Sequence, residues 1–490
     1  MPCLFDPIGR SGRMFRKNNT RVDRPPGTRP LPIIGDLPAF ARDQFGFLPS
    51  LHRRFGDVAE WSMGSTRVAV FFHPHDVELV LAAAGANGPL GRGQEDTFAR
   101  HAAITGNTGL ILSEGAYWKR QRRTLQPGMH AKWIAGYAGI ISSFSEATVL
   151  SWDAGQTRDL QRDMERLVGR IAMKTLLGSD LGDQLAERLK RASDRMLQLN
   201  MAEYALGSKL PTRVPTPLRY WLKRASTRMD RLIMDAVEHR LAARETQRVT
   251  VGPDMLDMLL DARDEEGQPL TRLQLRDEIY TLYLAGYETT ANTLGIALTL
   301  LSRRPDLQQQ LVDEAERATG GGELGDEHVG ALELAEAVVK ETLRLHPVVR
   351  ALNHRVNTTF SAGGFAFDPG HLVWVAPCVT QRDPRWFDEP DEFRPERWLD
   401  GSTDTLPRSA WFPFGGGPRV CLGQRLAVVE MVLIMTTVLR RFVLSPAAGE
   451  SADLSLRING GGHLMCTNAR VVLGDRQETR NAEEKADHHA

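Results

Sequence analysis

Cysteine is scarce in this sequence: Cys3, Cys378, Cys421 and Cys466 are the four among 490 residues. They lie far apart, with no CxxC pair and no regular spacing. That argues against a disulfide framework or a zinc site and suggests a reducing compartment. The chain has no run of about 18 apolar residues, so no transmembrane anchor is expected and the cytoplasm is the expected location. Net charge is missing too, with 61 basic residues against 61 acidic ones. Global electrostatics therefore speak against nucleic acid as a partner, and any basic surface must be local. No internal repeat stands out. What remains is an ordinary soluble globular composition, 42% hydrophobic and 25% charged.

Acids are rare at the start. Residues 1 to 29 hold Asp6 and Asp23 against Arg10, Arg13, Arg16, Lys17, Arg21, Arg24 and Arg29. A mitochondrial transit peptide has that balance, as does a disordered basic arm; the lack of an apolar face favours the arm. The stretch "PPGTRPLPIIGDLP", 25–38, carries too many prolines for helix or central strand and reads as an extended lead-in. "DVAEWSMGSTRVAVFF", 57–72, reads as a hairpin turning near Met63 to Ser65. Helical periodicity then dominates, over 75–84, 117–126, 135–151, 158–177, 183–206, 217–246, 272–302, 304–317, 333–346 and 422–441. Strand signals return at 352–366 and 371–377 and near the C-terminus. The expected organisation is one large, mainly α unit with small β-sheets over 25–474, between a basic arm (1–24) and a polar tail (475–490).

Cys421 stands inside "WFPFGGGPRVCLGQRLAVVE". The segment after it has helical spacing, with Leu426, Val429, Leu433 and Thr436 near one face. The thiol is thus placed at or just before a helix N-terminus, where N–H groups and the helix dipole stabilise a thiolate. Gly415, Gly416 and Gly417 let the backbone approach something flat or bulky. Arg419 adds a nearby positive charge. A buried free cysteine beside a loop is the ordinary alternative. A phosphate cradle is disfavoured by the glycine spacing and the missing lysine.

The order Phe414-Gly415-Gly416-Gly417-Pro418-Arg419-Val420-Cys421-Leu422-Gly423 resembles the haem-binding loop of the cytochrome P450 family, F-x-x-G-x-R-x-C-x-G, at every defined position. The resemblance implies that Cys421 is the metal ligand, its thiolate binding haem iron. An electron-rich sulfur there favours O–O cleavage. It also implies that Phe414 packs on the sulfur side of haem b, that Arg419 binds a propionate, and that Gly423 belongs to the haem contact.

A second stretch, "DEIYTLYLAGYETTANTLGIALTL" (277–300), puts Leu282, Ala285, Gly286, Thr289, Thr293 and Ile296 on one helix face. Glycine inside a helix costs about 1 kcal/mol against alanine, and close helix packing is its usual reason. Thr289, one turn on, can compete for the Ala285 carbonyl and leave a polar notch. Glu288 and Thr289 then offer an acid and an alcohol for proton delivery. Residues 285–290 are similar to the family's oxygen-activation helix, A-G-x-[DE]-T-T, which implies that Ala285 and Gly286 border the haem.

"KETLRLHP" places Glu341 and Arg344 on one face, ordinarily a solvated pair of little energetic weight. It resembles the family's E-x-x-R helix, whose buried pair is joined by a later arginine, here Arg397 of "FRPERW". "EGAYWKRQRRTLQPGM" spaces Trp118 and Arg122 as in the family's W-x-x-x-R, implying two more propionate contacts; Pro127-Gly128-Met129 departs from the frequent proline-x-phenylalanine. Lys119, Arg120 and Arg123 form a local basic cluster suited to an acidic electron donor. In "NHRV", Arg355 is a further propionate candidate. Its distance from Pro347 is one residue longer than the family spacing, which leaves His354 as the alternative.

The resemblance runs from the proline-rich lead-in to about residue 470 and implies a triangular helical prism enclosing haem. It also implies a monooxygenase that draws two electrons from a separate ferredoxin or flavodoxin with its reductase. Residues 86–110 and 195–225, with Leu282, Ala285, Val348, Val349 and Leu352, predict an apolar cavity for a lipophilic substrate of terpenoid, fatty acyl or polyketide type. A donor-independent isomerase or dehydratase is disfavoured by Glu288 and Thr289, and a non-catalytic haem sensor is the other alternative.

Overall fold

The computed structural model describes residues 24–92, 105, 108–178, 182–203, 210–211, 214–246, 254–264, 267–451, 453–459 and 463–476. The expected basic arm up to residue 23, the tail beyond 476 and parts of 86–110 and 195–225 lie outside the described residues.

Strands β1 (Val58–Met63) and β2 (Thr66–Phe71) pair antiparallel around Gly64, whose φ is 64°. Their alternation of β-branched and apolar residues is what the hairpin reading rested on. Three further strands extend that hairpin: β3 (Leu90–Arg92), β5 (Leu352–Val356) and β8 (Leu372–Val375), in the order β1-β2-β8-β5-β3. The expected strand region 352–366 divides, because Gly363 and Gly364 at φ 58° and 81° turn β6 (Phe360–Ala362) back on β7 (Phe365–Phe367). A three-stranded sheet joins β4 (Thr157–Asp159), β12 (Arg470–Asp475) and β9 (Phe442–Pro446), and β10 (Leu456–Ile458) pairs with β11 (Leu464–Cys466).

The lead-in is not wholly extended. Thr28 N–H donates to the Glu60 carbonyl at 3.0 Å, tying it to β1, and a short helix α1 (Leu37–Arg42) follows. Pro38 sits in its first turn, where the missing N–H breaks no helical hydrogen bond. Helix α2 (Phe47–Phe55) comes next, then α3 (Pro74–Ala83), α4 (Gly115–Leu125), α5 (Ala131–Leu150), α6 (Leu160–Leu177), α7 (Gly182–Ala202), α8 (Pro217–Glu245) and α9 (Met255–Asp261).

The thirty-residue α10 (Arg272–Leu301) starts on a capping box, in which Thr271 and Gln274 satisfy each other's backbone N–H groups. It is followed by α11 (Pro305–Thr319), α12 (Glu333–Leu345), the short α13 (Pro377–Thr380) and α14 (Gln424–Arg441). The main core lies where α5, α6, α10, α12 and α14 converge: Ile141, Val168, Leu298, Val338, Val432 and Leu439 are all fully buried. Among the described residues, no helix is long and apolar enough to cross a membrane.

Beneath this core, Glu341 of α12 collects five donors. Arg344 approaches both its oxygens at 2.8 Å, while Arg397 Nε, Trp398 Nε1 and the Arg394 N–H each donate at 3.0 Å. Glu341 and Arg344 are wholly buried, and Arg397 nearly so. Arg344 also donates to the carbonyls of Gln381, Pro390 and Glu392, so one guanidinium ties α12 to the loops ahead of the cysteine segment. The surface-pair alternative is thereby excluded.

Candidate active site

The cysteine loop is seated on α3. Gly417 has φ +60°, and a Cβ on it would lie 2.2 Å from the Leu81 carbonyl oxygen. A Cβ on Gly416 would meet Leu81 Cδ1 at 2.9 Å, and Gly415 has φ +72°. Gly417 is therefore required by the backbone of helix α3 and by its own backbone angle, and Gly415 by its backbone angle, whereas at Gly416 only the end of the Leu81 side chain would have to shift. The glycine that opens onto space is Gly423, whose Cβ position has nothing within 4 Å. Cys421 N–H donates to the Phe414 carbonyl at 2.9 Å, closing the loop ahead of α14. Phe414 meets Trp411 edge-on at 6.3 Å.

Cys421 is solvent-accessible yet lies deep among protein atoms, as a group on the wall of an interior hollow does. Burial pushes its thiol up, while the Gly423 N–H and the charge of Arg122 pull it down. On α10, Ala285 and Gly286 are exposed although the flanking Tyr283 and Tyr287 are buried. Nothing lies within 4 Å of a Cβ placed on Gly286, so close helix packing is not the reason for this glycine. Helices α10 and α14 pack together, and both border open space at their glycines.

Two guanidinium groups flank one indole beside this space. Arg419 sits 4.4 Å from the Trp118 ring centroid and Arg122 5.8 Å from it. Arg419 approaches the Ser113 carbonyl at 3.3 and 3.4 Å and Glu114 Oε1 at 3.3 Å, but its Nε is buried without a partner. Burial lowers the pKa of both arginines. Two partly desolvated cations, one with an unused donor, form a receptor for carboxylates. An accessible sulfur, glycine-lined space and two half-buried arginines fit a flat, iron-bearing macrocycle with acidic side chains.

Strand alternation separates the two residues left open in the sequence. On β5, His354 pairs with Val373 and Arg355 with Leu372. Val373, Val356 and Leu352 pack in one apolar cluster, and Leu352 Cδ1 lies 3.5 Å from a Cβ placed on Gly415. His354 shares that side of the strand, facing the cysteine loop, while Arg355 shares the opposite side with Asn353. The register therefore places the two residues on opposite faces of the sheet, with Arg355 on the face where its cross-strand neighbour Gly91 approaches Glu114, the partner of Arg419. Lys119 and Arg123 are exposed on α4, and Arg120 lies over the Tyr117 ring at 5.4 Å.

The acid and the alcohol of α10 do not bond each other. Thr289 Oγ1 donates to the Ala285 carbonyl at 2.8 Å, as the spacing predicts, and the helix continues unbroken. Glu288 turns toward the β10–β11 hairpin: His463 Nδ1 stands 2.9 Å from Oε2, and Asn459 Nδ2 donates to Oε1. Sequence reasoning missed both partners. At the head of α10, Asp277 accepts from Thr108 N–H and Oγ1 at 2.8 and 2.9 Å. Glu278 accepts from Leu110 N–H at 3.1 Å and Gln121 Nε2 at 2.9 Å. Burial pushes the Glu278 carboxyl up to about 7, against those two hydrogen bonds.

A family model described as Cytochrome P450 matches residues 25–467. Cyclooctat-9-en-7-ol 5-monooxygenase of Streptomyces melanosporofaciens is 30% identical over 442 residues, 88% of this chain and 93% of that protein. Cyclooctatin synthase of the same organism is 30% identical over 420 residues, covering 86% and 89% respectively. Among solved structures, retinoic acid bound cyanobacterial CYP120A1 superposes with a TM-score of 0.78 at 23% identity, covering 92% of this chain and 99% of that one.

Proposed function

The chain belongs to the cytochrome P450 family of haem-iron monooxygenases, and from that premise we propose that it oxygenates an apolar terpenoid alcohol or hydrocarbon. The observation that carries the site is the accessible Cys421 beside Arg122 and Arg419, next to a helix wall laid open at Ala285 and Gly286. The terpenoid reading rests on relatives that match across most of the chain, one named for oxygenation of cyclooctat-9-en-7-ol.

Each residue has a task that follows from its chemistry. The Cys421 thiolate would bind the iron of haem b, with Phe414 and Gly423 as the residues that would line the group. Trp118, Arg122 and Arg419 would receive the propionates, with Arg355 as the donor from β5. Haem iron supplies dioxygen activation and oxygen-atom transfer when bound. Ala285 and Gly286 leave room on the α10 side, and Val348 and Leu352 offer apolar contact to a lipophilic substrate. Thr289 holds an alcohol proton one residue from the Glu288 carboxylate, and together they form the route by which protons enter the site.

The two electrons would come from a separate ferredoxin or flavodoxin with its reductase, docking on Lys119, Arg120 and Arg123. Such a soluble partner fits a cytoplasmic location. The reduced holoprotein should show the red-shifted Soret band of a thiolate-bound carbon monoxide complex, and Cys421→Ala should lose it. A Thr289→Ala variant should consume oxygen with less product per electron. A fully loaded wild-type protein without that Soret band would refute the sulfur assignment.

A further inference from the structure

Both oxygens of the Glu288 carboxylate are occupied, and by residues more than 170 positions away: Asn459 at 171 and His463 at 175. The two partners are also bonded to each other. Asn459 N–H donates to the His463 carbonyl at 2.9 Å, and His463 N–H donates to Asn459 Oδ1 at 3.1 Å. The hairpin that carries them is anchored: Leu464 is fully buried, and its N–H donates to the Val348 carbonyl at 2.9 Å. The imidazole is 23% exposed and the carboxylate 12%. Water therefore competes only weakly for these hydrogen bonds.

We propose that Asn459 and His463 are positioning residues for Glu288, fixing the orientation of its carboxylate from the C-terminal hairpin. The inference rests on reading Glu288 and Thr289 as the proton route. Successive helix residues point about 100° apart, so Glu288 leans away from Thr289 and needs an outside support to keep a defined rotamer. The hairpin supplies it with two donors in fixed relation. A carboxylate only accepts, so Nδ1 of His463 carries the hydrogen.

The test uses two readouts on the holoenzyme. In the reduced, carbon monoxide-bound protein, nitrogen-15 NMR of labelled histidine should show His463 protonated at Nδ1, and Glu288→Ala should release that hydrogen. Steady oxygen uptake, driven by a surrogate ferredoxin and reductase without added substrate, gives the second. His463→Ala should slow it about 3–10-fold, a part of the roughly 10²–10⁴-fold that a positioned acid supplies. His463→Asn retains a side-chain N–H donor and should restore most of the rate. Adding His463→Ala to Glu288→Ala should slow it no further. An Nε2–H tautomer in the wild type, or uptake by His463→Ala equal to wild type while Glu288→Ala is slow, overturns the positioning role. Uptake by Glu288→Ala equal to wild type refutes the proton route instead, and the tautomer then still decides whether the hairpin holds the acid.

Discussion

Replacing Glu341 with glutamine tests how the sulfur loop is held in place. The carboxylate receives five donors, four of them from Arg344, Arg397 and Trp398 side chains and one from the Arg394 N–H. Its Arg344 and Arg397 partners are 0% and 2% exposed, so neither cation has water to turn to. Glutamine removes the negative charge and points an NH2 at groups that are themselves donors. Breaking a buried pair by removing one partner costs about 3–5 kcal/mol. With an unfolding entropy of about 2.1 cal/mol/K per residue, a domain of about 450 residues has a total of about 0.9 kcal/mol/K, so Tm falls by roughly 3–5 °C.

Burial alone would raise the Glu341 pKa, but Arg344, the Arg394 N–H and Arg397 outweigh it and lower the value. A depressed folded-state pKa contributes stability above the unfolded carboxylate pKa, and that stability is lost as pH falls through the folded value. Wild type should therefore show an acid limb below the ordinary carboxylate range that the variant lacks. Differential scanning fluorimetry of the two proteins from neutral to acid pH, with haem content measured alongside, gives both quantities. A Tm change under about 1 °C at neutral pH, with equal haem retention, would refute the reasoning, because a solvated pair is worth that little.

Glu278 carries the opposite sign: its raised pKa of about 7 means that the folded chain holds a proton the unfolded chain gives up. Stability from this group falls as pH rises from the ordinary carboxylate value toward about 7, by up to about 1.4 kcal/mol per unit. Glu278→Gln should flatten melting temperature over that window, and an unchanged slope would oppose the assignment. The two kinds of glycine in the cysteine segment should also part ways. Gly417→Ala puts a Cβ 2.2 Å from the Leu81 carbonyl oxygen at φ +60°, and should destabilise the protein even without haem, by more than about 1 kcal/mol. Gly423→Ala meets nothing within 4 Å, so its apoprotein should melt as wild type while its haem affinity falls; equal affinity would place the cofactor elsewhere.

Much of this was readable in the residues. Thr289 at four residues from Ala285 announced its hydrogen bond to that carbonyl, because the contact is local to one helix. The β1–β2 hairpin followed from alternation around a single turn. Strand β3, three residues long, carries too little pattern to be seen and exists because β5 offers it an edge. Helix α9, seven residues long, depends on the Asp254 cap and its packing rather than on periodicity. That Gly417 also clears the Leu81 carbonyl oxygen was not legible, since that atom lies more than three hundred residues earlier in the chain. Residue type pointed to Arg355 and spacing to His354, and the register of β5 against β8 puts the two on opposite faces.

Adjacent placement of an acid and an alcohol on one helix invites the reading that they hand a proton directly to each other, and helical geometry opposes it. Neighbouring side chains on a helix do not face one another, and here each has its own partner: Thr289 the carbonyl of Ala285, Glu288 the hairpin pair. A proton passing between them must therefore cross by rotation of the Glu288 side chain or through a bridging water. The two routes differ in what the hairpin does. If rotation carries the proton, loosening the carboxylate by Asn459→Ala should speed transfer. If water carries it, the same loosening should slow transfer, because the fixed carboxylate is what orders the water. The second outcome follows from a support made of two donors bonded to each other and anchored at Leu464. Oxygen uptake by Asn459→Ala in light and heavy water decides it: a slower rate with a larger isotope effect supports the bridged route, and a faster rate refutes it.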